Sequence, residues 1–263
     1  MKSIDEQING LFDSVVRLEV YKEYYNDEGE FVSGNELGSG SYINLRIPEE
    51  RLPADSESNL IPCILTNRHV IEHAKNVKLR TKIESDVHQF DSEYPELELS
   101  DVDDRFIIFH DELDLAVLLM GYYLKKSEMN NIRMAHKYVD EALLFNNEKK
   151  INLFSRVAIM GYPLGMFNVS NYHPIVYQGT FAYPPSYNFG GAPEYLLNCD
   201  SVNGNSGSIV YGITDSMDFT PIGVQYSIYK HPEHNLTLSK AIKISEVNNI
   251  KNKILESYYP KIK

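Results

Sequence analysis

The sequence predicts an all-β protein. Short runs rich in Val, Ile, Leu and Tyr recur along the chain, and turn-forming residues separate them. Helical spacing of apolar residues occurs mainly near the two ends. The chain has 263 residues, and β-rich folds commonly fill about 200–250 residues as a single unit. We therefore expect one domain over residues 1–263, with strands supplying the core.

The first half of the chain is predicted to hold a short helix and six strands. Ser3 and Glu6 form a capping box ahead of apolar residues at helical spacing. Residues 26–29 carry a turn signal, and the dense acidic run over 84–104 favours a solvated loop over a docking patch. The predicted strands are 14–24, 39–47, 61–65, 77–83, 105–109 and 114–120, with 77–83 and 105–109 paired across the acidic loop.

The second half is predicted to hold a connection, six more strands and a final helix. Residues 121–150 are polar and partly helical, which is typical of a connecting segment. The predicted strands are 156–161, 175–182, 195–199, 208–213, 221–229 and 236–242. Ser245 is expected to cap the last helix, over 245–259, whose buried face holds Val247, Ile250, Ile254 and Leu255.

Composition and charge exclude several classes of protein. The net charge of −12 disfavours non-specific binding to nucleic acid or to an anionic membrane. No stretch has the roughly 18 apolar residues of a membrane span, and residues 1–8 lack a signal core. Cys63 and Cys199 each lie in an apolar run, which predicts two buried, reduced thiols. We therefore expect a cytoplasmic protein with no metal or other cofactor.

The most informative segment is residues 202–208, which place a serine between two glycines. Ser206 follows Gly204 and Asn205 and precedes Gly207. A nucleophilic serine needs an unobstructed oxygen and nearby backbone N–H groups that converge on a developing oxyanion, and glycines permit that tight turn. Taken alone, the motif is equally compatible with ordinary turn chemistry.

Two other segments supply the partners that such a serine requires. His69 follows the apolar run 63–66, and Asp114 precedes the apolar run 115–119. A histidine base oriented by an aspartate can activate a serine for acyl transfer. His73 is the nearest alternative base, and Asp111 and Glu112 are the alternative carboxylates. Asp114 is preferred because it borders a run that must be buried, where a carboxylate needs a partner.

Together these segments resemble a trypsin-like serine peptidase of the chymotrypsin fold, in its bacterial, disulfide-free form. The order histidine, aspartate, serine matches that family. The resemblance implies two six-stranded antiparallel β-barrels, the first over about 14–120 and the second over 151–244, joined by 121–150. The segments that carry it are 37–43, 65–70, 114–118, 157–163 and 198–208.

The resemblance also implies roles for residues around the serine. The backbone N–H groups of Gly204 and Ser206 would form the oxyanion hole. Asp200 lies six residues before the serine, where trypsin-like members place the carboxylate that selects Lys or Arg. The pocket wall would hold Gln225, Ser227 and Ile228. Basic specificity stays open, since disulfide-free relatives often place an aspartate here that does not face the pocket.

We therefore expect an intracellular serine endopeptidase that acts on a protein or peptide substrate. Asn205 stands where digestive members carry the aspartate that receives a new N-terminal ammonium, so activation by trimming is not implied. A narrow substrate or a regulatory protein partner would then restrain the enzyme, as in effectors of prokaryotic stress and anti-phage defence that the chain resembles. The alternatives are a catalytically degenerate, protein-binding module and an esterase.

Overall fold

The computed structural model describes residues 4–53, 56, 58–80, 83–84, 96–129, 133–134, 136–145, 151–166, 173–214, 218–230 and 237–260. Strands dominate, as predicted. The first two strands, β1 (Val15–Tyr25) and β2 (Phe31–Arg46), form an antiparallel hairpin. The predicted turn closes it: the Asn26 N–H donates to the Glu30 carbonyl at 3.0 Å, and Gly29 adopts φ +78°.

The N-terminal sheet contains eight strands along the described chain. The elements of this half are α1 (Ile4–Phe12), β3 (Leu60–Thr66), α2 (Arg68–Ile71), β4 (Ala74–Arg80), β5 (Ile83–Glu84), β6 (Glu96–Leu99), β7 (Ile107–Phe109) and β8 (Ala116–Leu119), with 3₁₀ turns at Glu49–Arg51 and Asp104–Phe106. The strand order is β6-β4-β1-β2-β3-β8-β7, and a later strand, β10 (Val139–Asp140), pairs in parallel with β2.

The predicted pairing of 77–83 with 105–109 is wrong. Strand β4 pairs with β1 and β6, whereas β7 pairs with β8. The reason lies in the acidic run, where Leu97 and Leu99 are buried between exposed Glu96 and Glu98. That alternation of period two makes a half-buried strand. The part of the predicted acidic loop over 85–95 lies outside the described residues.

The connection leads into a closed six-stranded barrel. The elements of this half are α3 (Gly121–Met129), β9 (Arg133–Met134), β10 (Val139–Asp140), α4 (Glu141–Phe145), β11 (Arg156–Gly161), β12 (Ile175–Phe181), β13 (Glu194–Asn198), β14 (Ile209–Ile213), β15 (Phe219–Lys230) and β16 (Thr237–Lys243), with 3₁₀ turns at Pro163–Gly165, Phe189–Gly191 and Ile244–Glu246. The barrel order is β11-β12-β13-β16-β15-β14, with antiparallel neighbours throughout. The predicted all-β fold is confirmed, with a closed six-stranded antiparallel barrel in the second half. The N-terminal sheet differs from the six antiparallel strands predicted, because β6 and β10 join it and β10 is parallel to β2.

The final helix, α5 (Val247–Tyr258), buries the face that its spacing predicts, with all four expected residues in the core. The predicted cap is wrong. Ser245 lies inside the preceding 3₁₀ turn, and Glu246 at the N-cap position has helical φ and ψ without a side-chain hydrogen bond. A side-chain cap needs an extended residue at that position, and the continuous turn removes it.

Three apolar clusters hold the fold together. One fills the N-terminal sheet, one fills the C-terminal barrel, and the third joins the two and includes α5. Residues of both halves meet in the third cluster, including Leu65, Met160, Tyr211 and Ile254. Both cysteines are free and buried, as predicted, and burial raises the pKa of Cys199 to about 11.

Candidate active site

His69 and Asp114 are in direct contact at the edge of the N-terminal sheet. The Nδ1 atom of His69 lies 2.5 Å from Oδ2 of Asp114, and the His69 backbone N–H donates to Oδ1 at 2.9 Å. One carboxylate thus holds both the ring and the backbone of the histidine. With Nδ1 as the donor, Nε2 is left to accept a proton, which is the tautomer that a general base needs.

Strand register brings these two residues together. Strands β3 and β8 are antiparallel, and Thr66 lies opposite Ala116. The residues just beyond this pair therefore meet at the same end of the sheet. The side-chain amide of Asn67 donates to the Asp114 carbonyl at 2.7 Å, which fixes the backbone on both sides.

The alternative residues have other partners. Asp111 pairs with Lys253 on α5 at 2.5 Å, and salt bridging to that lysine lowers the pKa of Asp111. His73 stacks on Tyr24, with ring centroids 4.6 Å apart. The structure therefore brings His69 together with Asp114 and leaves these two alternatives outside the contact.

Ser206 lies in the loop between β13 and β14, against the first half of the chain. The Ser39 N–H of β2 donates to the Ser206 carbonyl at 2.8 Å, and the Thr66 hydroxyl donates to the Ser39 carbonyl at 2.8 Å. Gly38 is wedged beside them: a Cβ there would lie 2.5 Å from Val70 Cγ1 and 3.3 Å from the Ser206 carbonyl oxygen. Thus β2 is the shared neighbour of the serine loop and the segment that carries His69.

The backbone donors of this loop alternate between engaged and free. The N–H groups of Asn205, Gly207 and Ser208 donate to backbone carbonyls at 3.2, 2.9 and 2.9 Å. The N–H groups of Gly204 and Ser206 donate to no acceptor within the described part of the chain. The two free N–H groups lie on either side of the engaged Asn205 N–H. In this turn Gly204 adopts φ +92° and Gly207 adopts φ +88°. An oxyanion site needs free backbone donors of this kind.

A turn from the second half packs behind the loop. The Leu164 N–H donates to the Asn203 carbonyl at 2.7 Å, and a Cβ on Gly204 would lie 2.6 Å from the Tyr162 carbonyl oxygen. Because a trans peptide points its C=O and N–H in opposite directions, this bond turns the Gly204 N–H away from the Leu164 turn. Leu164 itself adopts φ +51°, a conformation that non-glycine residues rarely take.

Gly161 lets the loop approach the barrel closely. A Cβ at this position would lie 1.9 Å from the Ser208 hydroxyl and 3.0 Å from Oδ1 of Asn205. Asn205 is fully buried, and its amide nitrogen lies 3.2 Å from the Ser201 hydroxyl. Asn205 therefore has a local partner inside the protein.

Solved structures share this architecture. The chain is similar to two structures of the HtrA-type protease AlgW, one with a decapeptide and one with a tripeptide. The first has 14% sequence identity and a TM-score of 0.58, covering 97% of this chain and 68% of its own. The second has 16% identity and a TM-score of 0.55, covering 97% and 64%. No protein-family model and no curated protein sequence matches the chain.

The fold is that of the chymotrypsin-like serine proteases. At this identity the likeness shows the fold, and the activity has to follow from the residues of the cleft. The chain spans about two thirds of the length of the two AlgW structures. The Ser206 loop contacts β2 of the N-terminal sheet, so the predicted serine lies where the two β-structures meet.

The four residues predicted to shape substrate specificity differ in their burial. Asp200 is exposed, so it lacks the desolvation that would make a pocket carboxylate strongly selective. Gln225 is buried, and its backbone exchanges hydrogen bonds with the serine loop, donating to the Ser208 carbonyl and accepting from Gly207, both at 2.9 Å. Ser227 and Ile228 follow it along β15 and are half-buried.

A charged cluster next to these residues was not predicted from the sequence. Tyr226 sits at a bulge between Gln225 and Ser227, and its hydroxyl donates to Glu194 at 2.6 Å. Lys240 lies 2.6 Å from the same carboxylate and 2.5 Å from the Tyr226 oxygen. Burial and the Glu194 carboxylate raise the pKa of Tyr226. The three residues come from three strands, so linear spacing could not connect them.

The described residues show no group of three or more His, Cys, Asp or Glu side chains placed to hold a metal ion. None of the described helices has the length and apolar character to cross a membrane.

Proposed function

We propose that the protein is a serine peptidase in which Ser206, His69 and Asp114 form the catalytic triad. The observation that carries the proposal is the double contact of Asp114 with His69, at 2.5 Å to the ring and 2.9 Å to the backbone N–H. A carboxylate in that position fixes the tautomer and stabilises the imidazolium that forms during the reaction. The shared contacts of β2 support Ser206 as its partner.

The proposed reaction is acyl transfer in two steps. Ser206 Oγ attacks the carbonyl carbon of the peptide bond while Nε2 of His69 takes its proton. The tetrahedral intermediate collapses, and His69 gives that proton to the leaving amine, which departs and leaves an ester on Ser206. Water then attacks the ester while His69 takes its proton, the bond from the carbonyl carbon to Ser206 Oγ breaks, and His69 returns the proton to Oγ as the carboxylic acid leaves.

The free N–H groups of Gly204 and Ser206 are proposed as the oxyanion hole. A negative oxygen develops on the substrate carbonyl, and each such donor contributes about 2.7–4 kcal/mol at the transition state. Among the residues described, these two N–H groups make no competing hydrogen bond. They are therefore available without a rearrangement of neighbouring bonds.

The proposed substrate class is a peptide or a flexible protein segment. The comparison structures hold peptides, which supports an extended substrate in the same cleft. Cleavage after Lys or Arg remains a hypothesis that depends on Asp200. Asp200→Ser should remove a basic preference in a peptide-library digest and spare labelling of the serine. Cleavage after small or apolar residues in both proteins would place Asp200 outside the pocket and leave Gln225, Ser227 and Ile228 to shape it.

The triad is tested by fluorophosphonate labelling and peptide turnover at neutral pH. Ser206→Ala and His69→Ala should abolish both, and Asp114→Asn should reduce turnover by about 10⁴-fold because the wrong tautomer results. Asp111→Asn is the matched control, since Asp111 pairs with α5 rather than with His69. Full activity in Asp114→Asn with loss in Asp111→Asn would contradict the assignment.

The same assays separate the alternatives. A correctly folded wild-type protein that never labels would be a binding module built on a protease fold. Labelling with ester turnover and without peptide turnover would indicate an esterase. Comparing the N-terminal peptides of cells that express the wild type with those of cells that express Ser206→Ala would then identify substrates. Cytoplasmic substrates would support the proposed location, and the same comparison during phage infection would test the proposed defence role.

A further inference from the structure

Leu164 adopts a backbone conformation that is costly for a leucine. Its φ is +51°, inside the turn Pro163–Gly165 that packs behind the serine loop. Glycine reaches this left-handed region easily and asparagine tolerates it, whereas the Cβ of a leucine crowds the following carbonyl oxygen. Strained residues persist only where surrounding contacts hold them, and they cluster at functional sites. The conformation of Leu164 therefore needs an explanation.

Burial of the leucine side chain does not explain the strain. Leu164 is 62% exposed, and Met166, two positions later, is 56% exposed. Apolar area left in water contributes little to folding. Leu37 of β2 is half-buried beside the same turn, since a Cβ on Gly165 would lie 3.4 Å from its Cδ1 atom. We call Leu37, Leu164 and Met166 the turn surface.

The turn surface borders the proposed oxyanion site. The backbone nitrogen of Leu164 would lie 2.7 Å from a Cβ on Gly204, which supplies one of the two free donors. On the other side, Leu37 precedes Gly38, whose Cβ would lie 3.3 Å from the carbonyl oxygen of Ser206. A peptide whose carbonyl oxygen reaches these donors therefore passes within side-chain reach of the turn surface.

The charge beneath the turn is already compensated. A Cβ on Gly165 would lie 3.1 Å from Nη2 of Arg17, and that guanidinium pairs with Glu19 at 3.6 Å. An acidic side chain of a substrate would have to compete with Glu19 for it. The exposed part of the surface consists of leucine and methionine side chains, so an apolar group is the better match.

We propose that the turn surface is a substrate-recognition subsite that binds an apolar side chain close to the scissile bond, with Leu164 as its main specificity-determining residue. This inference rests on the proposed function. Covering Leu164 and Met166 removes apolar area from water, which favours binding. A polar side chain in the same place loses hydration and gains no hydrogen-bond partner from them. The strained backbone thus holds an apolar side chain beside the oxyanion site.

Selectivity between matched peptides tests the proposal. Digestion of a randomised library by the wild type gives cleaved sequences, and each position flanking the bond is then made Leu or Asn in paired peptides. The ratio of kcat/KM within each pair is measured for the wild type, Leu164→Asn and Met166→Gln. Asparagine keeps the backbone N–H and tolerates positive φ. Phe154→Gln is the matched control, because Phe154 is 88% exposed and lies at the end of β11 opposite Gly161.

The wild type should prefer Leu at one position near the bond. Leu164→Asn should lower the ratio at that position about tenfold and Met166→Gln about threefold, because each removes apolar contact area. A defect in folding or in the oxyanion hole slows both peptides of a pair and cancels in the ratio. Phe154→Gln should leave the ratio unchanged, and Leu164→Asn should keep the urea midpoint of the wild type.

An unchanged ratio in both Leu164→Asn and Met166→Gln would overturn the inference, as would a wild type without an apolar preference at any flanking position. A lower urea midpoint in Leu164→Asn with an unchanged ratio would overturn it as well, because Leu164 would then serve folding alone.

A folded wild type that never labels with fluorophosphonate would instead contradict the proposed function. The subsite is still tested in that case by affinity selection of the same library on Ser206→Ala, which needs no turnover. Apolar enrichment that disappears when Leu164→Asn is added would support the subsite, and enrichment that persists would overturn it.

Discussion

Ser39→Ala should loosen the contact between β2 and the serine loop. Ser39 is fully buried in β2. Its hydroxyl donates to the Gly204 carbonyl at 2.8 Å and accepts the Tyr162 N–H at 2.9 Å. One oxygen thus joins the N-terminal sheet to both the serine loop and the turn behind it. Alanine removes this oxygen and leaves the backbone bonds of residue 39 in place.

The magnitude follows from the two groups that lose their partner. A buried donor or acceptor left unpaired costs about 1–3 kcal/mol, and here there is one of each. We expect the free energy of unfolding to fall by about 2–6 kcal/mol. If about 1.4 kcal/mol of this loss appears at the transition state through a less ordered Gly204, labelling slows about tenfold.

Urea unfolding and fluorophosphonate labelling measure the two effects. Ser186→Ala is the matched control, since Ser186 is exposed and makes no side-chain hydrogen bond to a described residue. The control should change the unfolding free energy by less than about 0.5 kcal/mol. An equally small change in Ser39→Ala, with unchanged labelling, would refute the view that this hydroxyl couples the two halves at the cleft.

Three further predictions concern the loop, the thiols and the buried charges. Gly207→Ala should destabilise the fold by more than about 2 kcal/mol in urea, because φ is +88° and a Cβ would lie 2.0 Å from a carbonyl oxygen of β2; an unchanged midpoint would contradict this. Burial raises the pKa of both thiols, so Cys63 and Cys199 should stay protonated and react slowly with iodoacetamide at pH 8, and mass spectrometry should find no bridge between them. Lys240→Met should cost about 3–5 kcal/mol by leaving the Glu194 carboxylate without its cation, and adding Glu194→Gln should recover part of that loss.

The sequence was sufficient for features that depend on neighbouring residues. Short runs rich in Val, Ile, Leu and Tyr predicted the strands of the C-terminal barrel, and helical spacing predicted the buried face of α5. The same patterns place both thiols inside. Burial of a face is a local property, because the side-chain period of a strand or helix is set by the backbone. The order of His69, Asp114 and Ser206 was visible for the same reason, as each stands beside an apolar run.

Other features depended on contacts between distant segments. The pairing of β4 with β6 is set when the sheet assembles, because an alternating run of residues does not specify which strand it pairs with. The exposure of Asp200 and the burial of Lys22 depend on how the surrounding segments pack. The type of a single residue does not specify that packing.

The cleft itself was decided by the tertiary structure. The hydroxyl of Ser39 meets the Gly204 carbonyl across 165 positions, and the free donors of the serine loop are known only once every competing acceptor is placed. Hydrogen bonds of this kind form where two separately folded surfaces meet, and the apolar cluster between the halves fixes that meeting. The sequence therefore determined which residues could act, and packing determined which of them came into contact.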